Sequence, residues 1–165
     1  MPSLSYDGVL KGPTMNDKLH GTALRDVQTA EQLRACYPVM KELRPHLDSE
    51  DDFVAQVTRQ REQGYRILAA WEHGEVVALA GYRLQESLVY GKFLYVDDLV
   101  SGEKHRSRRW GAQLLERLSG YAEQADCVKL VLDTGLTNGL AQRFYFREGL
   151  LPGALRFGKL LKEAA

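Results

Sequence analysis

The 165-residue chain is poor in the features that would mark a disulfide scaffold, a membrane segment or a metal site. It has only two cysteines, Cys36 and Cys127, far apart and with no His or Cys neighbour at metal-ligand spacing, which argues against a disulfide framework or a zinc site. Both read as buried free thiols, the pattern of a reducing compartment, so a cytoplasmic location is expected. The four histidines, His20, His46, His73 and His105, are scattered, and no metal is expected. No apolar run approaches the roughly 18 residues that span a bilayer, and residues 1–21 lack the apolar stretch of a signal peptide. Net charge is missing as well: 22 Lys plus Arg balance 22 Asp plus Glu, so no global field draws the chain to nucleic acid or a membrane. A Gly-x-Ser-x-Gly elbow is absent too, which weakens any triad assembled from Ser101, His105 and Asp98.

What is present is the composition of one globular domain, 44% hydrophobic and 27% charged. A chain of this size buries roughly 70% of its unfolded surface, enough for a core without staples. Residues 1–21 are polar and without periodicity and read as a flexible leader, with either Met1 or Met15 as the native start; residues 22–165 read as a single domain without repeats or linkers.

Along that domain, TALRDV can form a short strand, and Thr29 with Gln32 three residues on gives a capping box for a helix ending near Pro45. Ala30, Leu33, Tyr37, Met40 and Leu43 recur at helical spacing as its inner face. Ser49 opens a second helix whose run Glu50, Asp51, Asp52 sits where the helix dipole favours carboxylates. YRILAAW and EVVALAGYRL flank His73-Gly74 and read as a hairpin. KFLYVDDLV is a long strand, followed by the basic loop SGEKHRSRRWG, the helix AQLLERLSGYAEQA, the apolar strand VKLVLDT, the helix NGLAQRFYFREGL stopped by Gly149, and ALRFGKLL as a last strand. This order predicts an α/β domain of three layers with a mixed sheet.

Three groups of residues carry chemistry. Lys104, Arg106, Arg108 and Arg109 lie between a strand and a helix start, where unpaired backbone N–H groups and the helix dipole attract an anion. A solvated surface or a small nucleic-acid patch are the competing readings; zero net charge and the lack of interleaved aromatics oppose the latter. Asp97 and Asp98 interrupt an apolar strand, and because adjacent strand residues face opposite ways, only one looks into a cleft unless a bulge intervenes. Asn138 sits at a helix N-cap, and Tyr145 follows seven residues later on the same helix face.

Together, LYVDDLVSGEKHRSRRWGAQLL and, about 30 residues on, LDTGLTNGLAQRFYFREGL resemble the two core motifs of the GNAT superfamily of N-acetyltransferases, and the element order from Thr22 to Leu161 is similar too. The resemblance implies a three-layer fold with a mixed, mostly antiparallel sheet and a central splayed parallel strand pair flanked by helices. It implies acetyl-CoA as donor, with its pyrophosphate held by the segment Arg106, Ser107, Arg108, Arg109, Trp110, Gly111 and Ala112. Leu99, Val100 and Ser101 would meet the pantetheine arm, and Asn138 the cofactor. Tyr145 would protonate the departing thiolate, and Asp133 or Asp98 would act as general base. The acceptor would be a small-molecule or peptide amine, the acetyl moving by direct attack in a ternary complex. Arg109 stands where the family usually has a glycine, so a degenerate CoA-binding sensor, or transfer of another acyl group, stays open. The first two helices, the connection from His46 to Asp52 and the loop from Glu86 to Gly91 would line the acceptor side, and the acidic residues there suggest a cationic amine. ALRFGKLL offers an edge through which a homodimer could form; no nucleic-acid or membrane partner is expected.

Overall fold

Local signals set the ends of the first elements, and the computed structural model, which describes residues 22–106 and 108–162, shows how each is satisfied. The leader with Met15, and Ser107, lie outside the described residues. After strand β1 (Thr22–Asp26), helix α1 (Ala30–Leu43) is capped reciprocally: Thr29 Oγ1 accepts from the Gln32 N–H at 3.2 Å, and Gln32 Oε1 accepts from the Thr29 N–H at 3.1 Å. Helix α2 (Glu50–Arg61) starts at Ser49, whose Oγ accepts from the Asp52 N–H at 3.1 Å. Strands β2 (Arg66–Glu72) and β3 (Glu75–Ser87) turn through His73 and Gly74, both at positive φ, 50° and 86°. Two successive left-handed residues are what a two-residue hairpin needs to match the strand twist.

Strand β4 (Gly91–Ser101), a 3-10 turn (Glu103–His105), helix α3 (Trp110–Gln124), strand β5 (Lys129–Leu132) and helix α4 (Gly139–Arg147) complete the order. The sheet runs β1-β2-β3-β4-β5, antiparallel except for the parallel pair β4 and β5. Alternation along β2 sends Ile67 and Ala69 to one face and Leu68 and Ala70 to the other. The first face packs on α1 and α2 through Leu33, Cys36, Met40, Phe53 and Val57; the second packs on α3 through Leu114, Leu115 and Leu118. This is the expected three-layer arrangement with a mixed, mostly antiparallel sheet; among the described residues the parallel pair β4 and β5 lies at the edge of the sheet and not at its centre, because no strand pairs beyond β5.

Two expectations need correction. On α1 the buried stripe is Leu33, Cys36, Val39 and Met40, while Ala30 is exposed and Tyr37 sits at the margin. Tyr37 carries a polar tip and turns it toward the Leu47 carbonyl, 3.2 Å away, which rotates the stripe. ALRFGKLL is not a strand: residues 154–161 form no ladder and are exposed. The neighbouring edge strand β5 is only four residues long, and Arg156 is drawn instead to Tyr95 and Asp133 at its end.

Candidate active site

The bulge that sequence reading left open is present. β3 and β4 pair as Gly81 with Asp98 and Tyr82 with Val96, so Asp97 is an extra residue on β4. Val96 and Leu99 pack on the α3 side of the sheet, whereas Asp97 and Asp98 both line a cavity on the α1 and α2 side, together with Tyr95. A single inserted residue thus puts two carboxylates in one cleft.

Each carboxylate has fixed partners. Asp98 accepts from the Tyr65 hydroxyl at 2.7 Å and from Arg44 Nε at 2.8 Å, with Arg44 Nη2 also 2.7 Å away. Arg83 Nε reaches both oxygens of Asp97, at 3.1 and 3.2 Å. Burial pushes the Asp97 carboxyl above the ordinary carboxylate range, with Arg83 pulling it back, and burial followed by the Asp98 charge holds the Tyr65 phenol firmly protonated. Gly81 makes room for this pair: a Cβ there would lie 2.1 Å from Tyr65 Oη and 2.6 Å from Asp98 Oδ2.

The cavity, about 570 Å³, is walled by Met40, Leu47, Phe53 and Val57 from the two helices and their connection. The loop from Glu86 to Gly91 does not reach it; Gln85 and Arg156 do. Nor does the acidic run of α2, where Asp51 pairs instead with Arg34 at 2.6 Å. Glu50 and Asp51 face Arg34, and Asp52 accepts from the Ser49 hydroxyl, so this run gives no ground for a cationic acceptor.

Beside the cavity the sheet opens. Parallel pairing of β4 with β5 ends at Val96 and Leu132, but β4 continues to Ser101, paired only with β3. Leu99, Val100 and Ser101 therefore lie along a stretch whose β5 side has no ladder. At the end of this slot α3 begins, and Arg109 precedes it with left-handed backbone, φ 60° and ψ 22°. Arg109 takes the backbone shape usually left to glycine, so the turn into α3 survives the substitution at a strain cost of order 1–2 kcal/mol. Among the described residues no side chain caps α3, so its first-turn N–H groups, at Trp110, Gly111 and Ala112, keep the orphan donors that suit an oxyanion.

The basic residues around this turn do not act alike. Arg106 and Arg109 are exposed, whereas Arg108 is committed to Glu72, with Nη1 2.8 and 2.9 Å from its two oxygens. Trp110 is buried as a packing residue. Gly111 lets α4 approach, since a Cβ there would meet Phe144 Cζ at 3.0 Å. Tyr145 is half-buried against the α3 side of the core, 5.4 Å ring to ring from Phe144, and burial raises its phenol pKa. Asn138 caps α4, its Oδ1 accepting from the Ala141 N–H at 3.1 Å.

Of the carboxylates singled out from sequence, Asp98 lies in the cavity and Asp133 at its margin. Asp133 is held by the Tyr95 hydroxyl and by Arg156 Nη2, 2.5 Å away. Sequence reading missed the roles of Asp97, Arg44, Tyr65, Arg83, Tyr95 and Arg156. Gly81, an isolated glycine inside a strand, was the one signal that a bulge or close approach lay there.

Comparison with known proteins agrees with this architecture. The model of the acetyltransferase (GNAT) family matches residues 27–149. An N-acetyltransferase of Bacillus subtilis, YhdJ, itself uncharacterized, is 30% identical over 122 residues, covering 74% of this chain and 86% of the relative. The aminoalkylphosphonate N-acetyltransferase of Salmonella typhimurium is 30% identical over 138 residues, covering 81% and 88%. Among solved structures, the aminoglycoside N-acetyltransferase AAC(6')-Iy in complex with CoA superposes with a TM-score of 0.73 at 16% identity, covering 94% of this chain and 99% of that one. Glucosamine-6-phosphate N-acetyltransferase of Arabidopsis thaliana gives 0.69 at 17% identity, covering 86% and 99%. With the family model spanning both the splayed strand pair and the α3 turn, the chain belongs to the GNAT family and is an acetyltransferase.

Proposed function

We propose that the enzyme transfers an acetyl group from acetyl-CoA to a primary amine seated in the cavity beside Asp97 and Asp98, by direct attack with both substrates bound. The observation that carries this reading is the continuation of β4 past its parallel partner, which links the carboxylate cavity on one side of the sheet to the open α3 start on the other. Bound acetyl-CoA supplies an acyl thioester as the electrophile. The first-turn N–H groups of Trp110, Gly111 and Ala112, with Arg106 and Arg109 beside them, suit its pyrophosphate, with Ser107 in the same segment. The β5-facing side of the β4 backbone along Leu99, Val100 and Ser101 suits its amides and, through an N–H, the charge that develops on the carbonyl oxygen. Asn138 completes the wall at the start of α4.

Aliphatic amines are mostly protonated at neutral pH, and only the free amine attacks. Asp98 and Asp97 receive the ammonium group and take its proton, directly or through water. The raised pKa of Asp97, set by burial, makes it a stronger proton acceptor than an ordinary exposed carboxylate. Asp133, tied to Tyr95 and Arg156, shapes the margin of the cavity. Tyr145, kept protonated by burial, is the donor for the departing thiolate. The left-handed backbone of Arg109 favours a working donor site over a degenerate one, because the glycine-like turn is retained. The acceptors named for the relatives, an aminoalkylphosphonate, glucosamine-6-phosphate and an aminoglycoside, share a primary amine.

The test is thermal unfolding with and without acetyl-CoA, followed by thiol release with a panel of amines. Donor at 100 times its dissociation constant adds about 2.7 kcal/mol, a rise of a few degrees. Tyr145→Phe should keep that rise while turnover falls by about 100-fold. Unchanged turnover removes Tyr145 from the mechanism, and no thermal rise overturns the acetyl-CoA reading.

A further inference from the structure

The charges lining the acceptor cavity are not mixed at random. The acids lie deep: Asp98 is 11% exposed and Asp97 23% exposed, with Arg83 at 16% beside them. The bases stand at the rim: Arg44 is 42% exposed, Arg156 68%, and His46 is exposed too. Among the described residues Asp97 and Asp98 are the only acids in the lining, Asp133 at the margin is paired with Arg156, and neutral amides of Gln56, Gln60 and Gln85 also line the cavity. Both rim guanidiniums also keep donors in reserve. Arg44 uses Nε and Nη2 on Asp98 and the Asp97 carbonyl, and Arg156 uses Nη2 on Tyr95 and Asp133. Each guanidinium carries five N–H donors, so Nη1 of each, and Nε of Arg156, remain without a partner among the described residues.

Resting on the reading of this cavity as the acceptor site, we infer that the acceptor is a small zwitterion: a primary amine that carries an oxyanion, phosphonate, phosphate or carboxylate, a few bonds away. The ammonium enters first and meets Asp97 and Asp98 beside the break in the sheet. The oxyanion stays at the mouth, where Nη1 of Arg44 and Nη1 and Nε of Arg156 offer it charged N–H donors. A polyamine or aminoglycoside would place its further positive charges against those same two guanidiniums, where Asp133, the carboxylate at the margin, is already held by Arg156 and Tyr95. The cavity volume, about 570 Å³, holds a compact molecule.

Two measurements test this. Calorimetric titration without donor compares 2-aminoethylphosphonate and β-alanine with propylamine and spermidine. The first two should bind at least tenfold more tightly than propylamine, and the order between them tells a phosphonate site from a carboxylate site. Steady-state acetyl transfer then compares the same amines as kcat/KM. In Arg156→Gln and Arg44→Gln the ratio of the zwitterion to propylamine should shrink at least fivefold through KM, and in Arg156→Glu spermidine should become the better substrate. A variant that merely loosens the fold lowers all amines alike and leaves the ratio in place. Tightest binding of spermidine, or equal binding of all four, overturns the inference. Absence of acetyl transfer to any amine overturns the enzymatic reading instead, and the titration still decides whether the cavity takes a zwitterion.

Discussion

Residues 22–122 and 123–162 are similarly apolar in sequence, yet the fold treats them differently. Among the described residues, every buried side chain lies between Val27 and Ala122. Past Ala122, β5 is an edge strand, α4 buries no residue completely, and Leu136, Leu140, Phe146, Leu151, Leu155, Phe157, Leu160 and Leu161 are exposed. The earlier elements pack on both faces of the sheet. The later ones meet only its β5 edge and one flank of α3, so their apolar residues have a partner on one side at most. An apolar pattern states what an element could bury; the neighbours within reach decide what it does bury.

The sharpest way to break this comparison is truncation in each region. Leu114→Ala, in a fully buried side chain, should cost about 3–4 kcal/mol, while Leu155→Ala should change stability by less than about 0.5 kcal/mol in urea unfolding. A cost at Leu155 near that of Leu114 would mean that the C-terminal segment is buried after all. Gly81→Ala tests the crowded side of the site. It should cost about 1–3 kcal/mol and lower acceptor turnover together with stability, because a Cβ displaces the Tyr65 hydroxyl from Asp98. Wild-type stability and turnover would show that the pair does not need that gap.

The cysteines sample the two regions directly. Burial pushes the Cys36 thiol from 9.0 up to about 12, whereas Cys127 lies in the half-buried C-terminal region. Between those pH values the unfolded chain has lost the Cys36 proton and the folded chain keeps it. Stability from this group is therefore complete below about pH 9 and falls by about 1.4 kcal/mol per pH unit as pH rises toward 12. Denaturant unfolding across that range measures the slope. In the native protein at pH 8 an aromatic disulfide reagent should titrate one thiol, Cys127, with Cys36 reacting only on unfolding; two fast thiols would show that the α1 core opens readily. The smallest effect is at Arg109. Replacing it by glycine removes the left-handed strain but adds freedom to the unfolded chain, for a net gain of up to about 1 kcal/mol, while donor affinity falls with loss of the guanidinium beside the pyrophosphate. Unchanged donor affinity in Arg109→Gly would leave the pyrophosphate to the backbone N–H groups and Arg106.

Much of the fold was legible because its signals are short. The Thr29 and Gln32 box, the Ser49 cap, the His73-Gly74 turn and the Asn138 cap each depend on groups within four residues of one another. The strand, basic turn and helix from Tyr95 to Leu115 carried the family pattern, and with it the donor side of the site. The acceptor side was largely hidden. Asp98 was visible as an odd residue in an apolar strand, but Arg44, Tyr65, Arg83 and Arg156 come from four other parts of the chain, and no spacing rule joins them.

The sequence by itself determined the elements, their caps, the order that makes a three-layer α/β domain, and the segment that turns from β4 into α3. Hydrogen bonding over a few residues and the periodicity of apolar side chains suffice for these. Only the tertiary structure decided that one bulged residue turns both Asp97 and Asp98 into the same cavity, that Arg44 and Arg156 stand at its mouth, and that ALRFGKLL adds no strand. Those outcomes depend on pairing register and on approaches between residues 14 to 61 positions apart, such as Arg83 with Asp97 and Arg156 with Tyr95, where packing and charge rather than local propensity choose the partner.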